Sequence, residues 1–175
     1  MPGDPSKAAR VARMIRVDHA GEYGAARIYE GQLAVLGRTP VGPVIREMAD
    51  QEKAHLETFD RMLVERQVRP TALAPLWHVA GFALGAASAL AGPRAAMACT
   101  VAVEEVIDEH YQRQQENIAD DEIELAETVA TFRADEIAHR DTGLAHGAEQ
   151  APAYGALSRA VKAGTRLAIW FSERV

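Results

Sequence analysis

The chain has 175 residues, which is enough for one domain with a full hydrophobic core. Hydrophobic residues make up 48% and charged residues 25%, which excludes a disordered chain. A net charge of −6 argues against a nucleic-acid partner, and a single cysteine excludes an internal disulfide and suits a reducing compartment. The first 21 residues contain charges and no apolar run of signal-peptide type, so we expect no export.

Good helix formers dominate the sequence, and Gly and Pro fall in clusters that mark helix ends. The pattern predicts six helices, over about residues 7–37, 42–67, 75–92, 93–118, 122–150 and 154–173. We expect Asp120 and Asp121 to cap the fifth helix. Six helices joined by short loops predict an all-α bundle.

The third helix lies in an almost uncharged segment. From Thr71 to Val103 the only charged residue is Arg94, and residues 73–92 would be long enough to span a bilayer. However, this stretch includes Pro75, His78, Gly81, Gly85 and many alanines, which lower its hydrophobicity. A buried or membrane-dipping helix is therefore expected in preference to a true span.

Basic residues concentrate at the two ends of the chain. Residues 1–16 and 155–175 each carry a net charge of +3, which leaves −12 for the residues between them. The charges either form a solvated surface or attract both ends to an anionic membrane. The sixth helix shares this ambiguity, because its amphipathic pattern fits packing on the bundle or lying on a membrane surface. Its apolar side has Leu157, Val161, Ala168 and Phe171, and its basic side has Arg159, Lys162 and Arg166.

Two Glu-x-x-His motifs carry the strongest functional signal. Glu52 and His55 lie on the second helix, and Glu136 and His139 lie on the fifth. Residues three apart share a helix face, so each pair can reach one ion. A further glutamate precedes each motif on the preceding helix: Glu22 by 30 residues and Glu104 by 32. This repeated unit is typical of a carboxylate-bridged di-metal site in a ferritin-like four-helix bundle.

Charge compensation favours a metal at these residues. The four glutamates lie on apolar stripes, where an unpaired carboxylate is very costly, and two divalent cations would neutralise them. Carboxylates and imidazoles without thiolate favour iron or manganese over structural zinc. Gln51 and Asp135 either orient the histidine of the opposite helix or are ordinary surface residues. His19 and His110 are expected near the site but not as ligands.

Longer segments resemble the demethoxyubiquinone hydroxylases over nearly the whole chain. The matching segments are residues 16–25 (RVDHAGEYGA), 50–55 (DQEKAH), 99–105 (CTVAVEE), 110–111 (HY), 151–154 (APAY) and 172–174 (SER). The resemblance implies a membrane-associated di-iron monooxygenase that hydroxylates a polyprenylated methoxy-methyl-benzoquinol in ubiquinone biosynthesis. It implies six iron ligands, which would also be the catalytic residues: Glu22, Glu52, His55, Glu104, Glu136 and His139.

The resemblance also sets expectations for cofactors, partners and location. Two iron ions, dioxygen and an external reductant, NADH, are expected, and the chain has no Gly-rich dinucleotide fingerprint of its own. A single ferritin-like di-iron domain over residues 1–175 is expected, with two additional helices, one hydrophobic and one amphipathic. It would lie peripherally on the cytoplasmic side of a bacterial inner membrane, or on the matrix side in a processed mitochondrial form. A homo-oligomer or an auxiliary lipid-binding partner would be compatible with this role.

Two other classes of function stay open at this point. One is a different ferritin-like protein, which would store iron or reduce peroxide. The other is a non-catalytic quinone or lipid carrier with relic ligands. The uncharged segment from Thr71 to Val103 fits a storage cage poorly, because such a cage has a mostly polar exterior.

Overall fold

The computed structural model describes residues 5–118 and 120–175, and every regular element within them is helical. The α-helices are α1 (Lys7–Leu36), α2 (Gly42–Glu65), α3 (Ala74–Leu90), α4 (Pro93–Gln115), α5 (Ile123–Ala145) and α6 (Tyr154–Ser172), with one 3₁₀ turn at Ala148–Gln150. The prediction of an all-α, ferritin-like bundle with two additional helices is thereby confirmed.

The fifth helix differs from its prediction at both ends. Glu122 is the N-cap residue and no side chain caps the helix, so the predicted cap by Asp120 and Asp121 is wrong. The carboxylate of Asp121 instead pairs with Lys7 at the start of α1. At the other end, α5 stops at Ala145, because Gly147 takes a left-handed conformation that begins the 3₁₀ turn.

Two helix pairs form the bundle, α1 with α2 and α4 with α5, and the other two helices lie on its outside. α3 packs along α1 and contacts α4, whereas α6 packs on α4 and reaches α1. Glycines allow α1 and α3 to approach closely. A Cβ atom at Gly85 would overlap the carbonyl oxygen of Ile28, and one at Gly31 would overlap that of Phe82.

Two apolar clusters fill the interior, one towards each end of the bundle. The first contains Ile15, Phe59, Met62, Ile107, Tyr111 and Val129, and the second contains Tyr29, Leu36, Ile45, Met48, Met97 and Val101. Along α1, α2 and α4 the predicted ligands fall between the residues named here for the two clusters, and on α5 they follow Val129 of the first cluster. The helix α6 covers the bundle through the buried Val161, whereas Phe171, expected on its apolar side, is 40% exposed.

Within the parts of the chain that the structure describes, no helix is both long enough and apolar enough to cross a membrane.

Gly85→Ala should destabilise the protein, because its new methyl group meets the backbone of α1 rather than a movable side chain. Overpacking of this kind costs about 1–3 kcal/mol. Gly24→Ala on α1 is the matched control, since nothing lies within 4 Å of its Cβ position. The control should gain about 0.5–1 kcal/mol from the better helix former. Urea titration measures both free energies of unfolding, and equal values would contradict the close approach.

Candidate metal centre

The six predicted site residues come together at the centre of the bundle. Two overlapping groups form there: Glu22, Glu52, His55 and Glu136, and then Glu52, Glu104, Glu136 and His139. In each group, one ligand atom per residue lies within 4.8 Å of all the others. The four carboxylates are at most 2% exposed and the two histidines at most 3%.

Helix geometry explains this convergence. On α2 and on α5 the Glu-x-x-His spacing places both side chains of a pair on one face. Glu22 on α1 and Glu104 on α4 face these pairs from the opposite side. Glu52 and Glu136 belong to both groups, so they lie between two possible ion positions, whereas the other four residues belong to one group each.

Several buried polar atoms of this cluster have no hydrogen-bond partner, which fits a bound cation. The buried atoms without a hydrogen-bond partner include both carboxylate oxygens of Glu52 and Glu136, Oε2 of Glu104, and Nδ1 of His55 and His139. Buried polar atoms are almost always paired, so unpaired atoms require an explanation. These atoms are oxygen and imidazole-nitrogen donors that face one another, which is the donor set of an iron or manganese site.

The second ring nitrogen of each histidine is held from the opposite helix. His55 Nε2 lies 3.1 Å from Asp135 Oδ2, and His139 Nε2 lies 2.8 Å from Gln51 Oε1. Both contacts join α2 to α5, and both leave Nδ1 directed at the carboxylates. The predicted contacts of Asp135 and Gln51 with the second ring nitrogen of the histidine on the opposite helix are confirmed.

Two tyrosines bind the cluster in a way that the sequence did not reveal. The Tyr29 hydroxyl donates a hydrogen bond to Glu104 Oε1 at 2.8 Å, and the Tyr111 hydroxyl donates to Glu22 Oε1. Both tyrosines are 1% exposed. The available signal was their spacing, because each tyrosine follows a site glutamate by seven residues on the same helix.

The buried Asp18 is a second feature that sequence reasoning missed. Its carboxylate lies 3.1 Å from His110 Nε2 and accepts a hydrogen bond of 2.8 Å from Gln114 Nε2. Asp18 precedes Glu22 by one helical turn, so the two carboxylates share a face of α1. His110 therefore lies near the site, as expected. His19 instead contacts the exposed Asp60 at 3.0 Å, away from the cluster.

Burial and charge repulsion shift the pKa values of the acids. Burial, followed by repulsion from Glu136, raises the pKa of Glu52 and of Glu104 well above the usual range. Burial raises the pKa of Glu22 as well. Glu136 is the exception: burial opposes its ionisation, but the imidazoles of His139 and His55, whose Nδ1 atoms lie 3.4 and 3.3 Å from its oxygens, lower its pKa to about 2. Without a metal, burial therefore favours the protonated, uncharged form of the other three acids.

Three spaces surround the cluster. A small cavity of about 10 Å³ touches Glu22, Glu52, Glu104, Glu136 and Tyr111. A groove of about 390 Å³, which we call the apolar groove, runs between α1, α3 and α6, and its lining includes Gly21, Ala25, Ile28, Trp77, Leu84, Ile107 and Ala168. A pocket of about 560 Å³, which we call the arginine pocket, is lined by Arg10, Arg13, Arg113, Arg166, Val17, His110, Trp170 and Glu173, among others.

Comparison with known proteins adds independent information. The family described as "Ubiquinone biosynthesis protein COQ7" matches residues 9–172. A 3-demethoxyubiquinol 3-hydroxylase of Rhodospirillum rubrum is 60% identical over all of this chain and 83% of the relative. The Homo sapiens NADPH-dependent 3-demethoxyubiquinone 3-hydroxylase is 56% identical over 95% of this chain and 79% of the relative. A 5-demethoxyubiquinone hydroxylase of Saccharomyces cerevisiae is 43% identical, with coverages of 97% and 80%.

The stabilising effect of a bound metal should grow with pH. Burial disfavours the charged form of His55, but the carboxylates of Glu136 and Glu22, whose oxygens lie 3.3 and 3.5 Å from Nδ1, outweigh this and raise its pKa from 6.5 to about 11. Between these values the folded metal-free protein keeps a proton that the unfolded chain has lost, so its stability falls as pH rises. Metal binding displaces such protons, and the affinity rises about tenfold per pH unit for each proton displaced.

The measurement is the unfolding temperature of metal-free and Mn²⁺-loaded protein at several pH values from about 6.5 to about 8.5. We expect the difference between the two temperatures to widen steadily over this window. The depressed pKa of Glu136 acts below its usual value of 4.5, outside the window. A difference that shrinks as pH rises would contradict the proton displacement.

Proposed function

The chain belongs to the family of the ubiquinone biosynthesis protein COQ7, and we propose that it is the di-iron monooxygenase that hydroxylates a polyprenylated demethoxy-benzoquinol ring in ubiquinone biosynthesis. The observation that carries this proposal is the buried cluster of four carboxylates and two imidazoles whose inward-facing atoms have no hydrogen-bond partner.

The ligand roles follow from group membership. Glu22 and His55 would bind one ion, and Glu104 and His139 the other. Glu52 and Glu136, which belong to both groups, would bridge the two ions. Two divalent cations supply four positive charges against four carboxylates, which removes the cost of burying the acids. The same six residues would be the catalytic residues, since they touch the metal ions.

When bound, two ferrous ions would supply the chemistry that reduces dioxygen, so that one oxygen atom enters the ring and the other leaves as water. The protein contributes orientation. Gln51 and Asp135 fix the two imidazoles. The apolar clusters on either side of the ligands exclude bulk water. The small cavity touches all four carboxylates, so it would lie beside the two ions.

The apolar groove suits the polyprenyl quinol. Its lining is almost entirely apolar, and it shares Gly21, Ala25, Ile107 and Ile169 with the cavity at the carboxylates. An isoprenoid tail along the groove would therefore place its ring next to the ligands. Neither iron storage nor peroxide reduction needs such a groove. A carrier would not need buried carboxylate and imidazole atoms without hydrogen-bond partners. The hydroxylase accounts for both the groove and these atoms.

The arginine pocket suits the reductant. Arg10, Arg13, Arg113 and Arg166 face it with Glu173 as the acid. Guanidinium groups bind phosphate oxygens in a bidentate manner, which matches the diphosphate of a nicotinamide dinucleotide. His110 and Val17 line both this pocket and the cavity at the carboxylates. We propose NADH as the electron donor, and an assay with NADH and NADPH in parallel distinguishes the two.

A membrane surface would supply the substrate. Large exposed apolar side chains concentrate on the two outer helices. They are Leu76, Val79, Phe82 and Leu90 on α3 and Leu167, Trp170 and Phe171 on α6. We propose peripheral binding to the cytoplasmic side of a bacterial inner membrane. The Homo sapiens and Saccharomyces cerevisiae relatives are named mitochondrial, which corresponds to the matrix side. The same two helices could also contact a second copy of the chain or an auxiliary lipid-binding protein.

Glu104→Ala should reduce quinol hydroxylation by about 100-fold or more, since even loss of a residue that only supports a metal ligand costs about 10–100-fold. Glu57→Ala, the same change on the exposed face of α2, is the control and should keep full activity. Product mass is measured after anaerobic iron loading, a short-chain quinol analogue, reductant and dioxygen. Circular dichroism checks that the helical content of both variants is normal. Turnover near the wild-type rate in Glu104→Ala would overturn the site.

Leu76→Glu combined with Leu167→Glu should weaken membrane binding by about tenfold or more, because burying one leucine contributes about 1.5–3 kcal/mol. These leucines are 54% and 55% exposed. Val64→Glu is the control, since Val64 is 78% exposed but lies on α2. Co-sedimentation with anionic phospholipid vesicles measures the bound fraction. Equal losses in the control and the double variant would contradict a membrane face formed by α3 and α6.

A further inference from the structure

The two buried tyrosines repeat the internal symmetry of the chain. Tyr29 follows Glu22 by seven residues on α1, and Tyr111 follows Glu104 by seven residues on α4. Two helical turns separate the members of each pair, so each tyrosine lies on the same face as its glutamate. Neither tyrosine binds the glutamate of its own helix. Tyr29 crosses to Glu104 at 2.8 Å and Tyr111 crosses to Glu22.

Each hydrogen bond occupies one oxygen of a carboxylate and leaves the other for the centre. The Tyr29 hydroxyl occupies Glu104 Oε1, and Glu104 Oε2 has no hydrogen-bond partner. The Tyr111 hydroxyl occupies Glu22 Oε1, and Glu22 Oε2 lies 3.5 Å from His55 Nδ1. The carboxylate orientation is thus fixed from the side away from the ligand atoms. A carboxylate held in this way loses less rotational freedom when it binds an ion.

We propose that Tyr29 and Tyr111 are positioning residues that act on one metal ion each, Tyr29 on the ion of Glu104 and His139, and Tyr111 on the ion of Glu22 and His55. This inference rests on the proposed di-metal function. Each hydroxyl stabilises the ion held by the opposite ligand helix. The crossed arrangement therefore ties the geometry of each ion to the packing of α1 against α4.

The surroundings of the two tyrosines predict unequal effects. Both tyrosines belong to apolar clusters, but the Tyr29 hydroxyl otherwise meets only Met48 Sδ at 3.8 Å, a weak acceptor. Tyr111 lines the small cavity at the carboxylates. Removal of the Tyr111 hydroxyl would enlarge that cavity to the size that admits a water molecule, which could replace the lost hydrogen bond. Tyr29→Phe should therefore have the larger effect.

The test is titration of metal-free protein with Co²⁺, followed by visible absorbance and by competition with a chelator. The wild-type protein should bind two Co²⁺ ions. Tyr29→Phe should weaken one of the two ions by about 10–100-fold, the range found when a group that orients a ligand is removed, and Tyr111→Phe should weaken the other by less. Tyr23→Phe is the control, because its hydroxyl contacts His78 Nδ1 at 2.6 Å instead of a site carboxylate. Both ions should bind normally in the control.

Second-site variants identify the affected ion. His139→Ala removes a ligand of one ion, so in that background Tyr29→Phe should leave the affinity of the ion that still binds unchanged, whereas Tyr111→Phe should still lower it. In His55→Ala the pattern should reverse. If Tyr29→Phe fails to fold by circular dichroism, the Tyr111→Phe series tests the same crossed assignment alone.

The outcomes separate the two claims. Failure of the wild-type protein to bind two ions would contradict the proposed di-iron function itself. Two ions in the wild-type protein, together with equal losses at both ions or no loss in the phenylalanine variants, would overturn the positioning role while leaving the di-iron centre intact.

Discussion

Burial of four carboxylates in the middle of a helical bundle is the constraint on which the rest of the structure depends. All four are at most 2% exposed, and three of them have pKa values raised by burial. Ionised acids in such a place cost several kcal/mol each unless cations neutralise them. A bound metal would therefore contribute to folding stability as well as to chemistry, because the unfolded chain has no preformed site and leaves its carboxylates in water.

The site residues are divided between two equivalent halves of the bundle, α1 with α2 and α4 with α5. Each half supplies one single glutamate, one Glu-x-x-His pair and one tyrosine, and the contacts that orient the ligands run between the halves. Gln51 holds His139, Asp135 holds His55, and the two tyrosines cross between α1 and α4. The consequence is that neither half presents a complete site alone.

The clustering of the six candidate residues could be predicted from the sequence because they obey spacing rules that hold within one helix. Glu-x-x-His requires only a shared face, and the repetition of the unit made chance an unlikely source. Contacts between helices could not be predicted in this way. The pairing of Tyr29 with Glu104 depends on which faces of α1 and α4 meet, and that is set by packing. The predicted cap of α5 was wrong for a related reason, since it depended on a contact between distant parts of the chain. Asp121 pairs with Lys7, which lies 114 residues away.

The outer helices border the spaces that lie beside this centre. Ile169 on α6 lines the apolar groove, the arginine pocket and the small cavity at the carboxylates. One apolar side chain thus stands where the apolar groove and the arginine pocket meet. Moving a guanidinium group past an apolar residue would require desolvation, so Ile169 separates the charged lining of the pocket from the apolar lining of the groove. In the proposed function, a quinol and a phosphate-bearing reductant would approach the same carboxylates from different sides of α6.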